Sequence, residues 1–294
     1  MPLKTISITF IILVSIIFQS NICKADIKSS LPLSFADSIY IDLVGKADSA
    51  IAQSNWIEAE NALQKAMKGQ PANPANVLLL SNLAMVQFQQ GKDSLALNTI
   101  NDAHIIAPKS ITVLNNKARI LKSMGLIDEA YHTYEQILSI DSTLIEPRYM
   151  HGIIALANKY LTTAFSDFST LEKTAPTEEL TLDGMALYYF HTQNFTKAIP
   201  YFNKLIEINP SIDNYTNKIL CHLFCEDLPD ASSAINDAIK LYPLVGDFYL
   251  HRAFLNHLYY RHDDSNTDIK KAIELGVPNE KAKAWQQMMK QYKK

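Results

Sequence analysis

The sequence predicts an all-α protein, a right-handed superhelical solenoid of about seven helix pairs closed by a C-terminal capping helix. Three observations carry that expectation. Ala59, Ala96, Ala130, Ala164, Ala198, Ala231 and Ser265 follow one another at steps of 37, 34, 34, 34, 33 and 34 residues. A fixed period near 34 is the mark of stacked helix–turn–helix units. Four residues after each small residue stands a large one: Leu63, Ile100, Tyr134, Phe168, Phe202, Ile235 and Ile269. Seven after it stands a second apolar one: Ala66, Ala103, Ile137, Leu171, Leu205, Ala238 and Ala272. Offsets of four and seven put all three on one helical face. The third observation is composition. The chain has 294 residues, 48% of them hydrophobic, and only eight glycines. That is ample for a continuous apolar core and too little glycine for a β-rich or phosphate-loop protein.

The elements follow in chain order. Lys4 precedes an apolar run from Ile6 to Phe18, and Cys23-Lys24-Ala25 offers a small-x-small end. Residues 1–25 therefore read as a secretory signal peptide cleaved after Ala25, so the mature protein is exported, to a periplasm or beyond the cell. The run is shorter than a membrane span needs. Cys23 raises the alternative of a lipoprotein signal, but Asn21 and Ile22 stand where that signal places small residues. Contact with a membrane is expected only if Cys23 is lipidated. Residues 26–38, with Ser29, Ser30, Pro32 and Ser34, read as a flexible leader.

Residues 39–278 hold the helix pairs. Pro71, Pro108, Pro176, Pro210 and Pro243 stand where each second helix must stop, and Ser142 and Val277 replace proline in two units. Proline cannot continue a helix and disfavours helical geometry in the residue before it. Gly91 and Gly125 suit a left-handed turn between the paired helices. Asp93, Asp128 and Asp230 fall near the start of second helices, where a carboxylate suits the free N–H groups. Residues 279–294 form the cap, with Ala282, Ala284, Trp285, Met288, Met289 and Tyr292 among lysines. Lys290, Lys293 and Lys294 suit a helix C-terminus.

This pattern resembles the tetratricopeptide repeat family, over roughly residues 40–277. The copies Val77–Pro108 and Glu179–Pro210 match best. Those at Ile212–Pro243 and Gly246–Val277 are looser, and tryptophan is missing from the first-helix signature position throughout. The resemblance implies an exported bacterial member of that family and a fold of tetratricopeptide-type helix pairs. It also implies a concave groove, lined by first helices, that takes a partner peptide or helix. The family's groove positions carry over to Ser81, Met85 and Phe88 in the second unit. They give Thr112, Asn115, Arg119 and Lys122 in the third, Tyr149, Ile153 and Leu156 in the fourth, and Leu180, Asp183, Leu187 and Phe190 in the fifth. A polar, basic stretch thus adjoins an apolar, aromatic one, which would suit an acidic group beside hydrophobic anchors. The lysine/asparagine clamp of chaperone-binding members is absent, since Val44 and Asp48 stand there.

Removing the signal takes away Lys4 and Lys24 and no acid, so the formal charge goes from −3 to −5. A mildly acidic chain does not suit nucleic acid. Cys221 and Cys225 read as small hydrophobes packed inside the array, with His222 and His191 nearby in sequence. His251, His257, His262, Asp263 and Asp264 form the densest histidine cluster. Their spacing does not share one helical face, and Asp263 and Asp264 read as helix caps. A metal-dependent hydrolase using this region is the remote alternative. With no HExxH, GxSxG or phosphate loop, the chain is expected to be no enzyme. It is read with no catalytic residue, metal, cofactor or small-molecule substrate. The expected function is a scaffold for a protein or peptide partner. The alternative is a substrate-recognition or accessory subunit of an envelope enzyme or secretion complex.

Overall fold

A computed structural model describes residues 35–291. The predicted signal peptide with Cys23, the leader up to residue 34, Lys293 and Lys294 lie outside the described residues. Fifteen α-helices and no strand occur among the described residues. They are α1 (Phe35–Ala52), α2 (Trp56–Gly69), α3 (Asn76–Gln89), α4 (Asp93–Ile106), α5 (Ile111–Ser123), α6 (Ile127–Ile140), α7 (Ile145–Ala157) and α8 (Leu161–Thr174). Then come α9 (Glu179–His191), α10 (Phe195–Ile208), α11 (Ile212–Phe224), α12 (Leu228–Leu241), α13 (Gly246–Leu258), α14 (His262–Glu274) and α15 (Asn279–Gln291). The last four residues assigned to the leader, 35–38, are already helical, because Tyr40 and Ala47 anchor α1 in the core.

The periodic small residues explain the pairing. Ala59, Ala96, Ala130, Ala164, Ala198 and Ala231 have no exposed surface, and Ser265 is buried. The residues four and seven positions on are buried with them. Each second helix ends two residues before its proline: at Gly69, Ile106, Thr174, Ile208 and Leu241.

The turn inside each pair is more uniform than its residues. Ser54, Gly91, Gly125, Lys159, Gln193, Glu226 and Tyr260 all have positive φ, from 57° to 78°. Each precedes the periodic small residue by five positions. The next residue's N–H bonds back to the carbonyl five residues earlier, as in Lys92 to Gln87, Leu126 to Leu121, Asn194 to Tyr189 and Arg261 to Asn256, at 2.8–3.0 Å. This is the Schellman closure of a helix C-terminus. Only two of the seven positions use glycine, so flanking packing imposes the geometry on five other residue types. The helices that follow start without the predicted carboxylate caps. Asp93, Asp128, Asp230, Asp263 and Asp264 lie in first turns, and no side-chain cap bond forms at α4, α6, α12 or α14. These acids act on the helix dipole instead.

The chain divides into two compact units, with the boundary inside α7 after Ala155. In the N-terminal unit each helix from α1 to α6 packs on the next, and α3 also packs on α5. Its core runs from Tyr40, Ala59, Leu63 and Leu83 to Ala84, Ile100, Val113 and Ile120. In the C-terminal unit α8 to α14 pack in the same way, α11 also on α13, and α15 closes on α13 and α14. There Ala282 and Met289 are buried, the Trp285 ring meets those of His251 and Phe254, and the Ser265 hydroxyl donates to Met289 Sδ at 3.8 Å.

Candidate functional site

In the N-terminal unit the face carried by α3 and α5 holds most of the expected groove residues. Met85, Phe88, Asn115, Arg119 and Lys122 are half-buried. Met85 and Phe88 pack at the edge of the core formed by Ala84, Ile100 and Ile120, so part of their surface is committed to folding. Ser81 is closed off. It lies fully buried where its hydroxyl accepts the Asn116 amide at 2.9 Å, tying α3 to α5. The carry-over placed it in the groove, but small size at a helix contact decides its position instead.

The basic pair on α5 is not simply solvated. Burial holds the Lys122 ammonium below the usual lysine range, Arg119 deepens the depression, and Glu146 on α7 opposes it. The same two charges act on the buried Tyr134 phenol, which burial raises first, Glu146 raises further and Arg119 lowers. Arg119, Lys122 and Glu146 therefore lie near enough for their charges to act on one another's surroundings. Tyr149 and Ile153, also expected in the groove, are buried in α7. Large rings and branched chains on a first helix fill the gap to neighbouring helices before they reach solvent.

In the C-terminal unit, Asp183 and Leu187 on α9 are half-buried. Phe190 is buried, its ring edge-on to Phe195 at 5.7 Å and to Phe202 at 6.3 Å. A different aromatic surface, missed by sequence reasoning, runs across α8, α9 and α10. Phe165 and Tyr188 rings lie 5.2 Å apart, Tyr188 and Tyr189 5.6 Å, and Tyr189 and Tyr201 5.9 Å. Lys197 Nζ sits 5.5 Å from the Tyr189 ring, and the Tyr201 hydroxyl donates to Glu172. Its sequence signal was the Tyr188-Tyr189 pair, which the groove positions skip over.

The histidines of the cluster sit in different surroundings, His251 buried, His257 half-buried and His262 exposed. His251 Nδ1 lacks a hydrogen-bond partner among the described residues, and burial pushes the pKa of this histidine down to about 4. His257 and His262 rings stand 5.3 Å apart. Cys221 and Cys225 are free thiols, both pushed up by burial. Of the acids near them, Asp230 was read only as a helix start. Folding brings Asp227 and Asp230 to His222, with donor atoms within 4.8 Å of one another.

Sequence profiles described as tetratricopeptide repeat match residues 44–111, 111–144 and 182–212. A tetratricopeptide repeat protein from Parabacteroides merdae ATCC 43184 is similar over 86% of this chain and 99% of its own, at 24% identity and a TM-score of 0.64. PilW, described as a widely conserved type IV pilus biogenesis factor, is similar over 70% of this chain and 94% of its own, at 15% identity and a TM-score of 0.61. YrrB, described as having an unusual peptide-binding site, covers 63% of this chain and 94% of its own, at 16% identity and a TM-score of 0.51. At these identities the likeness is one of fold.

Proposed function

Because the chain belongs to the tetratricopeptide repeat family, we propose that it is a non-enzymatic scaffold that holds a protein or peptide partner on its first-helix face, in an exported compartment such as a periplasm. Repeats of this kind generally mediate protein or peptide binding. The observation that carries the reading is the half-exposed group of Asn115, Arg119 and Lys122 on α5, beside Met85 and Phe88 on α3. Arginine can take a carboxylate through two parallel hydrogen bonds, and the apolar pair offers an adjoining anchor. In the C-terminal unit, taken by itself, Asp183 on α9 is the half-buried polar position carried over from the family pattern. Ser81 and Tyr149 in the N-terminal unit and Phe190 in the C-terminal unit are buried and serve packing within their own units.

Crosslinking and pull-down from the exported fraction identifies the partner. Calorimetry with that partner then tests the face. Arg119→Glu combined with Lys122→Gln avoids burying a new charge at the desolvated position. The pair should weaken binding about tenfold or more, the scale of a lost charge-assisted contact. A Lys290→Glu control should bind like the unaltered chain. Equal affinity for the Arg119/Lys122 variant removes this face from the reading. N-terminal sequencing of the exported protein tests location. A start at Asp26 follows from cleavage after Ala25, whereas a lipid-modified Cys23 start would make the protein a membrane-tethered lipoprotein.

A second reading, an accessory or substrate-recognition subunit of an envelope enzyme or secretion complex, draws on the likeness to a pilus biogenesis factor. A crosslinked partner that is itself an enzyme or secretion component would favour it. The hydrolase alternative draws no support from His251, which is enclosed by Phe248 and Trp285.

A further inference from the structure

The sixth helix pair gathers three donor side chains at its turn. His222 sits in the last turn of α11, Glu226 reverses the chain in left-handed geometry, and Asp227 and Asp230 open α12. Each of His222, Asp227 and Asp230 brings a nitrogen or oxygen within 4.8 Å of the other two. His222 Nδ1 lies 3.2 Å from Asp227 Oδ2.

Three facts set this group apart from an ordinary helix start. His222 is buried, so core contacts fix its ring in place. Asp227 occupies the cap position of α12 yet makes no side-chain bond to that helix, which is where a capping aspartate aims its oxygen. It turns to the imidazole instead. Among the described residues, neither carboxylate has a lysine or arginine within ion-pair distance, and the imidazole is the ion-pair partner of Asp227. Two like charges therefore converge on one imidazole at the rim of the fold.

We propose that His222, Asp227 and Asp230 bind one divalent cation of the zinc class. The donor set selects that class. Imidazole suits zinc, copper, nickel and cobalt, whereas calcium and magnesium are held by oxygen alone. Zinc lies about 2.0–2.2 Å from nitrogen and carboxylate oxygen, so tetrahedral neighbours stand roughly 3.3–3.5 Å apart. The His222–Asp227 separation is already close to that. Asp230, exposed on the first turn of α12, needs only a side-chain rotation to complete a three-ligand face, with water in the fourth place. A cation there cancels the convergence of negative charge and ties the end of α11 to the start of α12. It binds the folded chain and not the unfolded one, so it raises stability by mass action.

The test is calorimetric titration of zinc chloride into the chelator-treated, dialysed full chain, with a parallel melting curve. The expected result is one saturable equivalent and a melting temperature that climbs with zinc but not with calcium or magnesium. Asp230→Asn and Asp227→Asn, at positions not closed in the core, should fold and should each weaken zinc at least tenfold. Asp263→Asn, an acid in the first turn of α14, and Cys225→Ser should bind like the unaltered chain. No saturable zinc binding, a calcium response equal to that of zinc, or binding that both aspartate variants leave within twofold overturns the proposal. So does binding lost in Cys225→Ser and kept in Asp230→Asn, which would assign it to a stray thiol.

Discussion

Single residues carry the sharpest consequences where a small group meets a large one. Gly184 on α9 faces the Phe168 ring of α8 so closely that a Cβ there would lie 2.4 Å from Phe168 Cδ1. Alanine is the better helix former by about 1 kcal/mol. The ring is fully buried and has nowhere to retreat, so overpacking at roughly 1–3 kcal/mol wins. Gly184→Ala should lower the denaturation midpoint, and an unchanged or higher midpoint would show that Phe168 can move. His251 supplies a pH effect of defined sign. Burial depresses its folded pKa to about 4, with Lys281 adding to the depression and Asp247 opposing it. The unfolded chain, with an ordinary value near 6.5, takes up a proton that the folded chain refuses. Stability from this group is complete above about pH 6.5 and falls away between there and pH 4, by at most about 1.4 kcal/mol per pH unit. Urea midpoints measured across that range should drop for the unaltered chain and drop less for His251→Phe. Equal slopes would place the acid sensitivity elsewhere. The periodic alanines were legible in the sequence because a spacing near 34 needs no coordinates. The Gly184–Phe168 contact was not, because glycine carries no periodic signal and its partner sits on another helix.

At the scale of the element, the turn inside each pair shows that backbone geometry can outrank residue preference. A left-handed conformation costs a residue with a Cβ roughly 1–2 kcal/mol, part of which glycine gives back through its looser unfolded chain. Gln193, exposed at φ 59°, is the cleanest place to measure the balance. Gln193→Gly should raise the unfolding free energy by about 0.5–1 kcal/mol, while Gly91→Ala should lower it by a similar amount, both read from urea melts. A loss in the first variant would mean that the Gln193 side chain holds the turn. The sequence announced this geometry only at Gly91 and Gly125. The other turns could be placed by counting five back from the small residue, but nothing in Lys159 or Tyr260 suggests positive φ. The positions carried over from the family pattern are partly open on α5, where Asn115, Arg119 and Lys122 are half-buried. That pattern could not tell that Ser81, Tyr149 and Phe190 close onto neighbours, because one helical face serves both packing and exposure. The convergence of His222, Asp227 and Asp230 was hidden for a related reason, since acids at a helix start already have a sufficient explanation.

For the molecule as a whole, stability in arrays of this kind is close to a sum over neighbours, and the ends matter most. The cap α15 covers His251 and Phe254 through Trp285 and holds Asp247 through Lys281 at 2.8 Å. Deleting residues 279–294 should therefore loosen α13 and α14 far more than the N-terminal unit. Hydrogen exchange should show protection lost there first and kept in α3 to α5. Uniform loss along the chain would contradict neighbour-wise additivity. The seven left-handed turn residues are all exposed, and none belongs to the face carrying Asn115, Arg119 and Lys122. Substitution at those seven sites can shift the melting point and leave the proposed binding face unchanged. A lineage moving to a warmer habitat could thus adapt its heat tolerance and its choice of partner on separate parts of the chain, by independent mutational paths.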